Sequence, residues 1–255
     1  METELKDDFQ LVDGIVMQIE RRVKKTVRLD DLIRTMNNMT KTDFTMSPVL
    51  PCANGSCKLY AENSRFVGFV IQCNPSVWDI RFNPKSDQPT EDVEWDEEDG
   101  EEFIRYSLSM PWQWFLCRFW KDRGRYQWNS CFVAASYSNI ETMDSGVYYS
   151  PMPNMWSDSS QMCTAEITRG DEFLRDDPGL MCRKFFFSVP QCLFNDDLTG
   201  TPALSVRAGV WADTLAKWDK ATEENAYCAL NESFGLVHYG TFEHFVGRSM
   251  SEENR

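Results

Sequence analysis

The sequence contains no apolar run of the roughly 18 residues that a membrane-spanning helix requires, because Gly, Pro or charge interrupts every apolar stretch within about ten positions. No membrane partner is expected. Glycine-rich phosphate loops are also missing: neither a Walker sequence nor a strand-linked Gly-x-Gly-x-x-Gly occurs. ATP and NAD chemistry drop out, and no cofactor is expected. Histidine is scarce, since His238 and His244 are the only two in 255 residues. They lie off the same-face spacing of a helix and have no serine elbow or Cys-His spacing beside them, which argues against a catalytic histidine. The start, Met1 to Asp8, lacks the basic-then-apolar layout of a secretory signal, which predicts a protein that stays in the cytoplasm.

Basic residues are outnumbered, 26 against 40 acidic, for a formal charge of −14. That balance opposes association with nucleic acid or anionic lipid and favours a protein partner. Ten of the acidic residues fall in positions 86–102, which hold no Lys or Arg. Such a block reads as a solvated, exposed loop, with a docking tail for a basic partner as the alternative. Nine cysteines are an odd number in a long chain without an export signal, so free thiols are expected. Zinc is the weaker reading: Cys52 and Cys57 have no second close Cys/His pair, and no metal site is expected.

Helical spacing of Leu5, Phe9, Val12, Ile15, Ile19 and Val23 predicts an N-terminal helix, although Gly14 and the β-branched residues leave a strand possible. A second short helix is expected over 30–39, opened by Asp30. Strands are expected at 66–73, 77–82, 103–109, 112–120 and 128–135, forming one mainly antiparallel sheet. The 112–120 strand is apolar on both alternating sets and belongs inside it. Residues 139–168 should be an extended loop with little regular structure. Helices are expected at 180–189, 203–218, 222–234 and 242–248. The fold class is therefore α+β, an antiparallel meander with N-terminal and C-terminal helices. The domains divide as a helical segment at 1–45, a core at 46–200 with the acidic insertion, and a helical extension at 201–255.

The 139–168 loop contains Met152-Pro153-Asn154-Met155, and Cys163 follows Asn154 by nine residues. This resembles the active-site segment of ubiquitin-conjugating enzymes, where His-Pro-Asn precedes the acceptor cysteine through a Gly-containing loop. Met152 stands where that family has His, Ser159 or Ser160 where Gly is usual, and Thr164 where Leu follows the cysteine. The order of features is similar to a divergent prokaryotic and bacteriophage group of ubiquitin-conjugating-like proteins that includes PRTRC system protein B. The corresponding stretches are Leu50-Pro51, 70–81, 110–119, 152–163, and a helix carrying Phe187-Ser188 through Phe194-Asn195-Asp196-Asp197-Leu198.

The resemblance implies a ubiquitin-conjugating-like core and thioester transfer of a ubiquitin-like protein received from an activating enzyme. Cys163 would be the acceptor, since a thiolate is the nucleophile that thioester exchange needs. Asn154 would donate its side-chain amide to the oxyanion of the tetrahedral intermediate, with Pro153 stiffening the turn. Setting would be the cytoplasm of a bacterium or of a phage host. Read by themselves, Cys163 is a small apolar filler, Pro-Asn is ordinary turn chemistry, and Asn195-Asp196-Asp197 is a helix cap or turn. The alternative function is a non-catalytic protein-binding or virion-associated protein with a silent cysteine, for which exposed Trp156 would be a contact residue.

Overall fold

A computed structural model describes residues 10–12, 15–17, 44–83, 95–98, 101–122, 125–156, 160–164, 167–168, 177–195 and 215–251. The strands are β1 (Gln10–Val12), β2 (Ile15–Met17), β3 (Phe44–Met46), β4 (Cys57–Asn63), β5 (Phe66–Cys73), β6 (Ser76–Asn83) and β7 (Asp96–Glu98). They continue as β8 (Glu101–Met110), β9 (Trp112–Asp122), β10 (Arg125–Ser136), β11 (Gly146–Tyr149), β12 (Gln161–Met162), β13 (Leu193–Asn195) and β14 (His238–Thr241). Three α-helices are described: α1 (Pro178–Ser188), α2 (Leu215–Glu224) and α3 (Phe242–Ser251). The class is α+β with mostly antiparallel strands, and one pairing, β13 with β6, is parallel.

Two sheets share one bent ribbon. β5 pairs β9 from Phe66↔Trp120 to Cys73↔Gln113, and β6 pairs β8 from Ser76↔Met110 to Phe82↔Ile104, with no slip in register between them. That common register sets Pro75 opposite Pro111. Neither proline has an N–H to give the ladder, so pairing stops on both strands at the same rung and the ribbon turns from one sheet into the next. The five strands expected in a single sheet therefore divide: β5, β9 and β10 lie in a sheet ordered β14-β11-β10-β9-β5-β4-β3, and β6 and β8 lie in a smaller one ordered β13-β6-β8-β7. β12 also pairs β10.

β9 is interior to the large sheet, and its two faces feed two cores. Trp114 and Leu116 pack with Phe242, Phe245, Val246 and Met250 of α3. Phe115, Cys117 and Phe119 pack with Met181, Cys182 and Phe185 of α1 and with Trp78, Ile80 and Leu108 of the small sheet. Each such side chain contributes about 1.5–3 kcal/mol on burial, so alternation along one strand fastens three layers. Gly68 permits the close approach of α3, because a Cβ there would lie 2.7 Å from Met250 Sδ. Arg118 is buried between the rings of Phe66 and Phe132, donates Nε–H to Asn129 Oδ1 at 2.7 Å, and donates from Nη1 to the Ser249 carbonyl in the last turn of α3. A cation suits the negative end of that helix.

The edge of β8 beyond β7 is covered by side chains of α2. Asp219 Oδ1 accepts the Ser107 N–H at 2.5 Å, Thr222 Oγ1 accepts the Ser109 N–H at 2.8 Å, and Trp218 Nε1 donates to the Ser109 carbonyl at 3.1 Å. A helix thus supplies the partners that a further strand would have given.

Several expectations are corrected. Within the expected helix at 5–23, the described residues form the hairpin β1–β2, and Val12, Ile15 and Val16 are β-branched residues that suit strands. The expected helix at 30–39 lies outside the described residues, as does 203–214. The boundary expected at 200 lies outside the described residues. In the 139–168 loop, β11 and β12 are regular. In the acidic block, Asp96–Glu98 are exposed as expected but form a strand paired with Glu101–Phe103. Helix α1 starts at Pro178 because Asp177 Oδ1 caps it, accepting the Leu180 N–H at 2.9 Å. The helix expected at 222–234 ends at Glu224 and gives way to two 3-10 turns.

Candidate functional site

Residues 150–156 and 160–164 hang from the edge of β10. β12 pairs Met162 with Cys131 and Gln161 with Phe132, and Met152, Met155 and Met162 are buried in the core beneath. A narrow antiparallel loop follows from this anchoring: Met155 bridges Met162, and the Trp156 N–H donates to the Gln161 carbonyl at 2.9 Å. At its mouth the Cys163 N–H donates to the Asn154 carbonyl at 2.8 Å. The two residues singled out by the sequence, nine apart along the chain, are thereby neighbours on one pair of antiparallel segments.

Asn154 has φ +59°, the one non-glycine residue in the left-handed region among the described residues. Asn tolerates that conformation better than most residues. Its Oδ1 accepts the Asn195 N–H at 2.8 Å. Anchoring the oxygen end of a planar amide fixes the direction of the other end, Nδ2, which is the donor an oxyanion would need. Of Ser159 and Ser160, either of which stands where the resembling family has Gly, Ser160 is described and is not among the residues of positive φ, whereas Ser159 lies outside the described residues.

Cys163 is half-buried, unlike the buried Cys73, Cys117, Cys131, Cys182 and Cys228. Desolvation pushes the thiols of Cys57 and Cys73 up to about 12 and that of Cys52 up to about 11, and holds those of Cys117 and Cys182 well above the ordinary thiol value. Those five are poor nucleophiles at neutral pH. Just past Cys163, the Thr168 N–H and hydroxyl both donate to the Thr164 carbonyl at 2.9 Å, and Trp128 Nε1 donates to Thr164 Oγ1 at 3.4 Å. Trp128 in turn packs on Phe185 of α1, with ring centroids 4.8 Å apart.

A groove of about 240 Å³, lined by Ile167, Ser188, Gln191, Cys192 and Leu193, lies between the segment after Cys163 and the end of α1. Asn195 is the last residue of β13, Asp196 and Asp197 lie outside the described residues, and the chain between α1 and β13 contains the 3-10 turn Val189–Gln191. The helix that the resemblance expected to carry Phe187 through Leu198 therefore ends at Ser188. Sequence reasoning missed the contribution of Asn195, which acts through a backbone N–H that any residue but proline carries. Among the described residues, no group of three or more His, Cys, Asp or Glu is placed to hold a metal ion. His238 and His244 are exposed and contact the rings of Tyr148 and Tyr239. Among the described residues no helix is long and apolar enough to cross a membrane. No protein-family model, no curated protein and no solved structure matches the chain.

Proposed function

We propose that the protein is a thioester carrier of ubiquitin-conjugating-like type, which receives a ubiquitin-like protein on Cys163 and transfers it to an acceptor amine. The observation that carries this reading is the joint placement of Asn154 and Cys163, with the Asn154 carbonyl on the Cys163 N–H and the Asn154 amide oriented by Asn195. In the first step the Cys163 thiolate attacks the thioester carbonyl of the charged activating enzyme and expels that enzyme's thiolate. In the second, an amine attacks the new thioester, the oxyanion accepts from Asn154 Nδ2, the Cys163 thiolate leaves and the ammonium proton passes to solvent. No strongly basic neighbour is needed, because proton removal accompanies transfer.

Trp156, 43% exposed beside the loop, offers an aromatic contact for an incoming protein. That feature equally serves the alternative of a binding protein with a silent cysteine. Tagged protein recovered from its own cells without reductant tests the choice. The carrier carries an adduct removed by dithiothreitol, absent from Cys163→Ala and converted to a reductant-resistant ester in Cys163→Ser. Recovery of the same partner, unlinked, with wild type and Cys163→Ala alike would reject the carrier and leave the binding protein.

A further inference from the structure

We propose that Arg81 is a positioning residue for this site, acting through β13 on the side-chain amide of Asn154; the inference rests on the thioester-carrier reading above. Arg81 Nη2 donates to the Gln191 carbonyl at 2.7 Å, and Nη1 donates to Glu98 Oε2 at 3.2 Å. The guanidinium also lies 5.6 Å from the centre of the Phe103 ring. Gln191 closes the 3-10 turn that leads into β13, and β13 pairs in parallel with β6 at Leu193↔Arg81, Phe194↔Phe82 and Asn195↔Asn83. Arg81 therefore fixes the small strand twice, by its own backbone register and by a side-chain clamp on the carbonyl just upstream.

Asn195 ends that strand, and its N–H sets the Asn154 amide. β13 spans three residues and pairs with β6 alone among the described strands; Phe194 anchors its middle in the core, and the clamp sets the turn that leads into it. A donor must meet a developing oxyanion within a few tenths of an ångström, and a misplacement of about 1 Å can lower a rate roughly a hundredfold. The acidic strand acquires a role in the same arrangement, since Glu98 holds the second arm of the guanidinium. Both partners of the Arg81–Glu98 pair are substantially exposed, so the pair contributes little to global stability. Loss of the clamp should be felt in amide orientation and not in folding.

The test uses a small acyl group and so needs no protein partner. p-Nitrophenyl acetate acetylates Cys163 when the thiolate attacks the ester carbonyl and expels p-nitrophenolate. Free lysine then discharges the acetyl group, its amine attacking the thioester and expelling the Cys163 thiolate. Peptide mass analysis of the Cys163 segment follows both steps in wild type, Arg81→Ala, Arg81→Lys, Asn154→Ala and the Arg81→Ala/Asn154→Ala double variant. We expect discharge, measured per acetylated Cys163, slowed roughly tenfold in Arg81→Ala, and most of that restored in Arg81→Lys. The double variant should discharge no more slowly than Asn154→Ala, because both substitutions remove one function. Hydrogen exchange at the Asn195 amide should quicken in Arg81→Ala. Wild-type discharge by Arg81→Ala beside a slow Asn154→Ala, or additive slowing in the double variant, overturns the role of Arg81 alone. A Cys163 that takes no acetyl group, or Asn154→Ala discharging at the wild-type rate, overturns the carrier reading and this inference together.

Discussion

Pro75 faces Pro111 across a ladder that keeps one register on both sides of the pair. Each ring restricts the unfolded chain, so Pro111→Ala should cost about 0.4–1 kcal/mol through added unfolded-state freedom, before any loss of packing. Pro111 is buried and Pro75 half-buried, and the urea midpoint should fall further for Pro111→Ala than for Pro75→Ala. An unchanged midpoint for both would mean that the bend is set elsewhere.

Asn154 combines a left-handed backbone with a side-chain acceptor, and substitutions separate the two. Asn154→Asp keeps the acceptor for the Asn195 N–H and should stay near wild-type stability. Asn154→Gly relieves the backbone but loses the acceptor, while Asn154→Ala loses both and should be the least stable, by about 1–3 kcal/mol. Equal midpoints for the Gly and Ala variants would show that the left-handed conformation costs nothing there. Despite its stability, Asn154→Asp lacks the Nδ2 donor and should discharge acetyl-Cys163 slowly.

Thr222 is buried and accepts the Ser109 N–H while donating to the Trp218 carbonyl at 2.9 Å. Thr222→Val keeps the shape and removes the acceptor from a buried N–H, which should cost about 1–3 kcal/mol in chemical denaturation. Thr222→Ser, which keeps the hydroxyl, should lose less. The reverse order would assign the contribution of Thr222 to its methyl group.

Lys58 is 1% exposed, donates to Asn139 Oδ1 at 3.1 Å and lies 5.6 Å from the Trp114 ring centre. Desolvation lowers its pKa below the ordinary lysine value. The unfolded chain then binds the proton more tightly, so the folded state is penalised below the folded pKa and gains stability as pH rises from that value towards about 10.4. Lys58→Met should abolish this rise. A stability profile of the same slope in wild type and variant between neutral pH and pH 10 would place the titrating group elsewhere.

Thiol labelling provides a direct reading of the cysteine environments. Cys52 and Cys57 are half-buried like Cys163, yet desolvation raises their thiols to about 11 and about 12. At pH 7.5 a maleimide should therefore label Cys52 and Cys57 slowly. The Cys52 rate should climb roughly tenfold per pH unit up to about pH 11, in step with its thiolate fraction. A Cys52 labelling rate that is already at its plateau at neutral pH would contradict the effect of burial.

Much of the strand framework was legible because its signals are local. The doubly apolar 112–120 run, the Asn74-Pro75 turn and the 103–109 run each state their own conformation. The division into two sheets was not, since it depends on Pro75 and Pro111 meeting across 36 residues of chain, and no local pattern records a register. The hairpin at 10–17 was misjudged because Val12, Ile15 and Val16 satisfy helical and strand spacing alike over so short a segment. At the site, Asn154 and Cys163 were visible as residue types at a spacing. What orients Asn154 was invisible, because the Asn195 N–H is carried by the main chain and delivered by a parallel pairing distant in sequence.

The register of the acidic hairpin sets Glu97 opposite Glu102 at the outer edge of the smaller sheet. Like charges on facing rungs weaken their own hairpin. They weaken a trespasser more, because a second copy of the chain aligning its own acidic strand along β7 would add further carboxylates to the same rungs. The sheet thus ends in an electrostatic fence: growth by strand addition is refused to copies of itself, and concentrated protein in low salt should stay dispersed until acid or added ions lower the fence.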